Sequence, residues 1–328
     1  MPSRDPRTTY PRYADLAMNT PPGSSWGVFT DDPGRGTANF ADAECVAKAA
    51  ASVVRGRTFN LDYSLGAFDP PMAKARRAPE HEILSAHPEA RDDVLREFFL
   101  QATSQVDGLR HRRASGYGFY NGVADNEIHP GKPELGVQLW AEQPIAGRGI
   151  LLDIAGLLAD RGEALEHIHG PTLDVHHLDA ACTRQNVDIE RGDIVMVHTG
   201  WAQWFLDSNA DVRTEVRTAR RATGFRQTKE LGEWIWDHQV AVFATDTFAV
   251  EVLPVDEDSE FRQSAPEDNG MMHQELIAKL GVVLGELWNL GELVEDSVRT
   301  DQWDAMCVIK PLNLVGGVGS PPNATALR

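Results

Sequence analysis

The sequence predicts an α/β fold, and three observations favour that class. Four short apolar runs, each bounded by Gly, Asp or Pro, have the composition of buried β-strands. Helix candidates lie between those runs, and this alternation is typical of α/β architecture. The chain of 328 residues contains no internal repeat, no low-complexity tract and no clear linker, which indicates one compact domain.

The elements of the second half of the chain follow one another in a regular order. The strand candidates are 148–156 (RGILLDIAG), 193–201 (DIVMVHTGW), 240–246 (VAVFATD) and 305–317 (AMCVIKPLNLVGG). The helix candidates are 174–185 (DVHHLDAACTRQ), 228–238 (TKELGEWIWDH) and 269–281 (NGMMHQELIAKLG).

The first half of the chain is less regular. Residues 1–37 are rich in Pro, Gly, Ser, Asp and Arg, which predicts an irregular arm ahead of a single domain at 38–328. Residues 39–56 have helical spacing, and residues 57–66 alternate like a strand. Residues 68–95 are proline-rich, charged and without a sustained period, so they predict a long surface loop beside a binding site.

The charge of the chain limits its partners. The 31 Lys and Arg residues against 49 Asp and Glu give a net charge of −18, which disfavours nucleic acid and anionic membrane surfaces. Cys45, Cys182 and Cys307 are widely separated, with no C-x-x-C pair, and favour a reducing compartment. No signal peptide or membrane span is recognisable, so a cytoplasmic protein is expected.

Residues 100–111 (LQATSQVDGLRH) carry an unusual set of polar side chains. Side chains of an extended segment alternate between faces, so Gln101, Gln105 and Asp107 would share one face. The following Gly-Leu-Arg step permits a bend that turns His111 back towards them. The residues alone leave two interpretations open, namely a solvated edge strand and a chemically active face.

Two other stretches contain candidate ligands. In residues 270–290, His273 lies on a predicted helix and Glu286 follows a Gly-bounded apolar run, although a surface histidine and a turn carboxylate would look the same. Residues 166–179 hold the densest histidine cluster, but its spacing fits no familiar zinc motif and adjacent side chains on a helix do not face one another. A structural role and a metal role both stay open for that cluster, which consists of His167, His169, His176 and His177.

Together, these landmarks resemble the cyclase superfamily of metal-dependent hydrolases, which includes bacterial kynurenine formamidases and isatin hydrolases. The resemblance runs from SSWGVFTDDPGRGTANF at 24–40 to PLNLVGGVGSPPNATAL at 311–327. It implies a swivelling β/β/α domain with a mixed, barrel-like β core ringed by helices. It also implies a homodimer or homotetramer, in which apolar side chains of the arm, such as Trp26 and Phe29, would pack on a neighbouring subunit.

The metal signature of that superfamily is H-x-G-T-H-x-D-x-P-x-H. By resemblance, its first two histidines fall on Gln101 and Gln105, its aspartate on Asp107 and its last histidine on His111. Some relatives carry a T-Q-W-D-G-L-x-H form, in which glutamine also stands at the second position. The resemblance makes His111 a general acid/base and not a ligand.

The later metal-binding histidine and glutamate of the superfamily match His273 and Glu286. With Gln101 and Gln105 in place of two histidines, the ligand set consists mostly of oxygen atoms. Amide oxygens bind Zn²⁺ less well than imidazole does and are better suited to Mn²⁺. The resemblance therefore implies one divalent ion, manganese or zinc, or no metal at all.

Aromatic residues follow His111 in the segment GYGFYNG, and another lies after a strand candidate. Tyr117, Phe119, Tyr120 and Trp201 suit a pocket for a small, flat, carbonyl-bearing substrate, aromatic or cyclic. Packing in the core would explain the same residues equally well.

Three functions are compatible with the sequence. The first is a metal-dependent hydrolase that cleaves a C–N or C–O acyl bond of an aryl formamide, a cyclic amide or a lactone, with His111 as acid/base. The second is a metal-independent lyase, dehydratase or cyclising enzyme that uses His111 and Glu286. The third is a non-catalytic binding protein on the same fold.

Overall fold

A nine-stranded mixed sheet, curled into a half-barrel and flanked by helices, organises the chain. The computed structural model describes residues 10–264 and 268–328. The strands of the described residues are β1 Thr58–Asn60, β2 Glu80–His87, β3 Ala90–Arg96, β4 Gln105–Asp107, β5 Ile145–Asp153, β6 Thr172–Leu173, β7 Ile194–His198, β8 Gly224–Phe225, β9 Val242–Thr245, β10 Val283–Glu286, β11 Asp304–Ile309, β12 Gly319–Ser320 and β13 Thr325–Leu327. The large sheet has the order β1-β13-β11-β5-β7-β9-β10-β4-β12, while β2–β3 and β6–β8 form two small sheets.

Helices cover this sheet. The α-helices of the described residues are α1 Ala43–Ala49, α2 Gln138–Glu142, α3 Ile154–Asp160, α4 Val175–Gln185, α5 Trp201–Asp207, α6 Ala210–Ala219, α7 Lys229–Asp237 and α8 Gly291–Thr300. The segment Gln274–Lys279 is a π-helix, a rare form often found beside functional residues. Among the helices of 10–264 and 268–328, none combines the length and the apolar character that crossing a membrane requires.

The centre of the sheet is parallel, since β5 pairs with β7, β7 with β9 and β9 with β10 in the same direction. The side chains of β9 and β10 are buried throughout. Strands covered on both faces have continuous apolar sequences. The apolar runs of the sequence that form β9 and β10 were recognisable for this reason. β11 and β4 then pair antiparallel at either side. The α/β class with a mixed, barrel-like core ringed by helices is confirmed.

The described part of the N-terminal arm packs on its own chain. Phe29 is only 3% exposed, and its ring lies 5.2 Å from Phe40 and 6.0 Å from Trp236, centroid to centroid. The indole Nε1 of Trp26 donates a hydrogen bond to the carbonyl of Ala278 at 2.8 Å. The expectation that Phe29 packs on a neighbouring subunit is therefore wrong, because intramolecular partners bury it, whereas Trp26 is only half-buried and its expectation stays a prediction. The part of the arm at 1–9 lies outside the described residues.

The region predicted as a long loop contains a β-hairpin. Strands β2 and β3 pair antiparallel from Glu80↔Arg96 to His87↔Ala90, and almost all their side chains are exposed. Cross-strand polar pairs support it, namely the ion pair of Arg96 with Glu82 at 3.2 Å and the hydrogen bond between His81 Nε2 and Asp93 Oδ1 at 2.8 Å. The expectation of a loop at 68–95 is therefore wrong for β2 and β3. These strands have no alternation of apolar residues that could predict them, and charged cross-strand pairs stabilise them instead.

Asp62 provides a test of the packing beside β1. One carboxylate oxygen accepts a hydrogen bond from the backbone N–H of Ala324 at 2.8 Å, whereas Oδ1 is buried without a hydrogen-bond partner among the described residues. Burial raises the pKa of Asp62 to about 6. In the unfolded chain the pKa of Asp62 is near 3.9, so between about pH 3.9 and pH 6 the folded protein binds a proton that the unfolded chain has lost. The free energy of unfolding therefore falls as pH rises through that window.

Asp62→Asn should therefore stabilise the protein above pH 6. An amide still accepts the N–H of Ala324 but carries no buried charge, so we expect the free energy of unfolding at pH 8 to rise by about 2 kcal/mol. Denaturant unfolding at pH 8 and at pH 4 measures the change. The gain should disappear at pH 4, and an equal gain at both pH values would contradict the explanation.

Candidate metal centre

The antiparallel pair β4–β10 brings distant polar residues together. Glu286 lies opposite Gln105, and Leu284 lies opposite Asp107. Because side chains alternate along a strand, Gln105, Asp107 and Glu286 point to the same side of the sheet. His273, which directly precedes the π-helix, reaches the same place from another segment.

Asp107, His273 and Glu286 form a buried triad of possible metal ligands. One ligand atom from each residue lies within 4.8 Å of the others. His273 Nε2 is 3.0 Å from Glu286 Oε1 and 3.9 Å from Asp107 Oδ2. Asp107 Oδ2 is itself buried without a hydrogen-bond partner among the described residues. A buried carboxylate oxygen without a partner is costly, so a cation among these three side chains fits the donor set.

Two glutamines stand beside the triad where the resemblance predicts histidines. Gln105 Nε2 donates a hydrogen bond to Glu286, and Gln101 Nε2 donates one to Asp107. Arg76 adds a positive charge, with its guanidinium 3.4 Å from Gln105 Oε1. A half-turn of either terminal amide exchanges its nitrogen and oxygen in nearly the same volume. Each glutamine can therefore act as a donor to a carboxylate or as an oxygen ligand.

His111 lies between the triad and solvent. Its Nε2 is 3.7 Å from Asp107 Oδ2, and its side chain is 16% exposed. It lines a cavity of about 440 Å³ whose other walls include Arg112, Phe119 and Asp268. Burial lowers the pKa of His111 and outweighs the opposing effect of the Asp107 carboxylate. The ring is therefore neutral near pH 7 and can accept a proton.

Glu251 is a site residue that the sequence did not reveal. It is fully buried, accepts the backbone N–H of Met272 at 3.0 and 3.1 Å, and pairs with Nδ1 of His273. Burial opposes a charge on His273, but the hydrogen bonds that it donates to the carboxylates of Glu251 and Glu286 raise its pKa to about 10. Burial raises the pKa of Glu286, but the hydrogen bond and positive charge of His273, together with the charge of Arg76, lower it overall.

Such a carboxylate behind a ligating histidine fixes its tautomer and orientation. The only sequence signal was an acidic residue inside the apolar segment AVEVLP, where a glutamate without a partner would be unfavourable.

The predicted pocket aromatics separate into two groups. Phe119 lines the cavity at His111, and Tyr117, 46% exposed, lies two residues before it. Tyr120 is fully buried, with its hydroxyl 3.1 Å from Ser25 Oγ, and Trp201 is fully buried against Phe205. The pocket assignment of Tyr120 and Trp201 is therefore wrong, since both belong to the core.

A second cavity, also of about 440 Å³, is lined in part by Gln101. Its walls are mainly apolar and include Phe98, Phe99, Leu100, Ile128, Leu314, Val315 and Val318. Gln101 belongs to this wall and also lies 3.3 Å from His111 Nδ1. His111 thus lines the polar cavity and Gln101 the apolar one, and both residues contact Asp107 of the triad.

Comparison with known proteins identifies the family. The family model described as "Putative cyclase" matches residues 62–252, more than half of the chain. None of the curated proteins matches the sequence.

Solved structures share the fold. The crystal structure of a novel cyclase has a TM-score of 0.79 and 28% identity, over 93% of this chain and 99% of that one. An isatin hydrolase bound to the product analogue thioisatinate has a TM-score of 0.55 and 15% identity, over 86% of this chain and 95% of that one. Isatin hydrolase A from Ralstonia solanacearum has a TM-score of 0.53 and 16% identity, over 87% and 96% of the two chains. With a family model that covers most of its central region and a fold shared with a cyclase, the chain belongs to the cyclase family.

Proposed function

We propose that this protein is a metal-dependent hydrolase that cleaves a C–N or C–O acyl bond in a small carbonyl compound. An aryl formamide, a cyclic amide or a lactone is the class of substrate that we infer. The observation that carries the proposal is the buried Asp107–His273–Glu286 triad, with an unpaired carboxylate oxygen 3.7 Å from His111. Membership of the cyclase family and a fold shared with two isatin hydrolases support hydrolytic chemistry.

The triad would hold one divalent ion, manganese or zinc. Asp107, His273 and Glu286 supply two carboxylates and one imidazole, and the amide oxygens of Gln101 and Gln105 can add to them. Oxygen-rich sets of this kind favour Mn²⁺ more than thiolate or all-imidazole sets do. When bound, such an ion polarises a carbonyl and lowers the pKa of a water molecule from 15.7 to roughly 7. Glu251 keeps His273 oriented towards the triad.

His111 moves the proton. With the Gln101 amide turned so that its oxygen accepts a hydrogen bond from Nδ1–H, the neutral ring offers Nε2, on the side of Asp107, to a water molecule. The Asp107 carboxylate stabilises the imidazolium that results. As the water proton moves to Nε2, the water oxygen would add to the carbonyl carbon. The proton then passes from Nε2 to the leaving nitrogen or oxygen as the C–N or C–O bond breaks, so that an acid and a neutral amine or alcohol result.

The two cavities would accommodate different parts of the substrate. The carbonyl would lie at the triad, with Phe119 against one face of a flat ring in the polar cavity. The apolar cavity at Gln101 would accommodate a hydrocarbon part of the same molecule. Concave sites of this kind usually bind small ligands that are largely apolar and make few polar contacts.

We also infer a homodimer or homotetramer in the cytoplasm. Leu314, Val315 and Val318 on the rim of the apolar cavity are 36–45% exposed, and a second copy of the chain would bury them. The three cysteines are free, which suits a reducing compartment. Sedimentation equilibrium gives the mass of the assembly, and a monomer at all concentrations would contradict the inference.

Hydrolysis should depend on the ion. Incubation with EDTA followed by its removal should abolish cleavage of the active member of a formamide, cyclic amide and lactone panel, and Mn²⁺ should restore it. The release of acid, measured by indicator or pH-stat, reports cleavage of lactones and aryl amides, and chromatography of the products reports cleavage of cyclic amides whose amine takes up the proton. Activity that survives complete metal removal would contradict the proposal.

That contrary result would favour a metal-independent lyase, dehydratase or cyclising enzyme. One observation favours this alternative, since the side-chain amides of Gln101 and Gln105 donate to the carboxylates that would otherwise bind metal. His111 and Glu286 would then act as the acid/base pair. Product analysis separates the two functions, because only hydrolysis incorporates oxygen from ¹⁸O-labelled water.

A further inference from the structure

The histidines at the start of α4 are closer together than their sequence positions suggest. His176 and His177 are adjacent, and adjacent side chains on a regular helix point away from each other. Their ring centroids nevertheless lie 3.9 Å apart. The reason is a capping contact, in which His177 Nδ1 lies 3.0 Å from the backbone nitrogen and 3.2 Å from the carbonyl oxygen of Asp174, so that the ring folds back over the helix end.

Asp174 completes a group of three possible ligands. One ligand atom from each of Asp174, His176 and His177 lies within 4.8 Å of the others, as in the buried triad. In the tautomer that carries its proton on Nδ1, His177 donates to the carbonyl oxygen of Asp174 at 3.2 Å, and its Nε2 keeps a lone pair for a metal ion. Asp174 Oδ1 is 3.0 Å from Arg226 Nε, but a carboxylate has about four acceptor positions and keeps capacity for another partner.

The charges around this group favour a cation. His176 also lines an open groove of about 430 Å³ between α4 and α7, whose walls carry Asp179, Glu230, Glu233 and Asp237. Arg226 and the positive end of α4 oppose a cation. Arg226 is also paired with Asp256, which offsets its charge.

We propose that Asp174, His176 and His177 form a second metal site, on the surface and separate from the buried triad. Two imidazole nitrogens and one carboxylate oxygen are a borderline donor set, which prefers Zn²⁺ or Cu²⁺ to Mn²⁺ or Mg²⁺. Three protein ligands leave a fourth tetrahedral position of Zn²⁺ to water. The proposal therefore assigns Zn²⁺ to this site, whereas the oxygen-rich triad suits Mn²⁺ better.

The test uses chelator-treated protein in which the triad is disabled by Asp107→Ala. Titration with Zn²⁺ alone, followed by calorimetry, should then show about one bound equivalent, since three ligands at the surface stay in place. Adding His176→Ala should remove that equivalent. The matched control is His169→Ala, because His169 is an exposed histidine with a side chain 72% accessible that lies outside the group.

The outcomes separate this site from the proposed function. If Asp107→Ala protein binds no Zn²⁺, or if His176→Ala leaves its binding unchanged, the surface site is refuted whatever the hydrolase does. His177 is left intact in the test because it caps α4, and its loss would disturb the helix. Since His176 is exposed, the variant should fold normally, and its circular dichroism and thermal unfolding should match those of His169→Ala.

Discussion

Replacing His111 by glutamine is expected to lower kcat/KM by about 10²–10⁴-fold, the usual contribution of a positioned acid or base. The ring faces Asp107 at 3.7 Å and lines the cavity, and burial lowers its pKa so that it stays neutral at pH 7. Glutamine approximates its size but cannot exchange a proton. Steady-state kinetics on the substrate found in the panel measures the loss.

The control for this variant is His81→Gln, which changes an exposed histidine on the β2–β3 hairpin. It should leave kcat/KM unchanged. Metal binding should survive in His111→Gln, because this residue is not a predicted ligand. Full activity of His111→Gln would exclude His111 as the acid/base, and a wild-type protein without any activity would favour a binding function.

Restoring histidine at both glutamine positions should strengthen zinc binding. Gln101 and Gln105 lie directly against Asp107 and Glu286, so imidazoles there would replace amide groups with better nitrogen ligands. We expect the double variant Gln101→His, Gln105→His to bind Zn²⁺ at least about tenfold more tightly, which corresponds to about 1.4 kcal/mol.

The affinity is measured by competition with a zinc-sensitive dye. His176→Ala is included in every protein so that the proposed surface site does not contribute. Gln203→His adds an exposed histidine on α5, away from the triad, and serves as the matched control. An equal gain in that control, or no gain in the double variant, would show that the two glutamines do not limit zinc binding.

The sequence was sufficient to predict the fold and, by resemblance, to select all three residues of the triad. The parallel strands β7 and β9 were recognisable because strands buried on both faces are continuous apolar runs. Gln101, Gln105, Asp107 and His111 were selected by resemblance, and the structure brings them into contact with one another and with Glu286.

Other features depended on long-range contacts that have no local pattern. Glu251 approaches His273 only through tertiary packing, and an isolated glutamate in an apolar segment does not reveal its partner. Tyr120 and Trp201 have the same composition signal whether they line a pocket or fill a core, and their burial decides for the core. The ring contact of His176 with His177 depends on a capping hydrogen bond that helical spacing cannot show.

The most direct test of the account is Mn²⁺ binding to the buried triad. Electron paramagnetic resonance of free Mn²⁺ counts the bound ion during titration of wild-type protein, Asp107→Ala and Asp92→Ala, an exposed control on β3. We predict about one equivalent bound to the wild type and to Asp92→Ala, and none to Asp107→Ala, since Asp107 supplies the unpaired buried oxygen. Absence of bound Mn²⁺ in the wild type, or equal binding by Asp107→Ala, would contradict a metal-dependent hydrolase at this site.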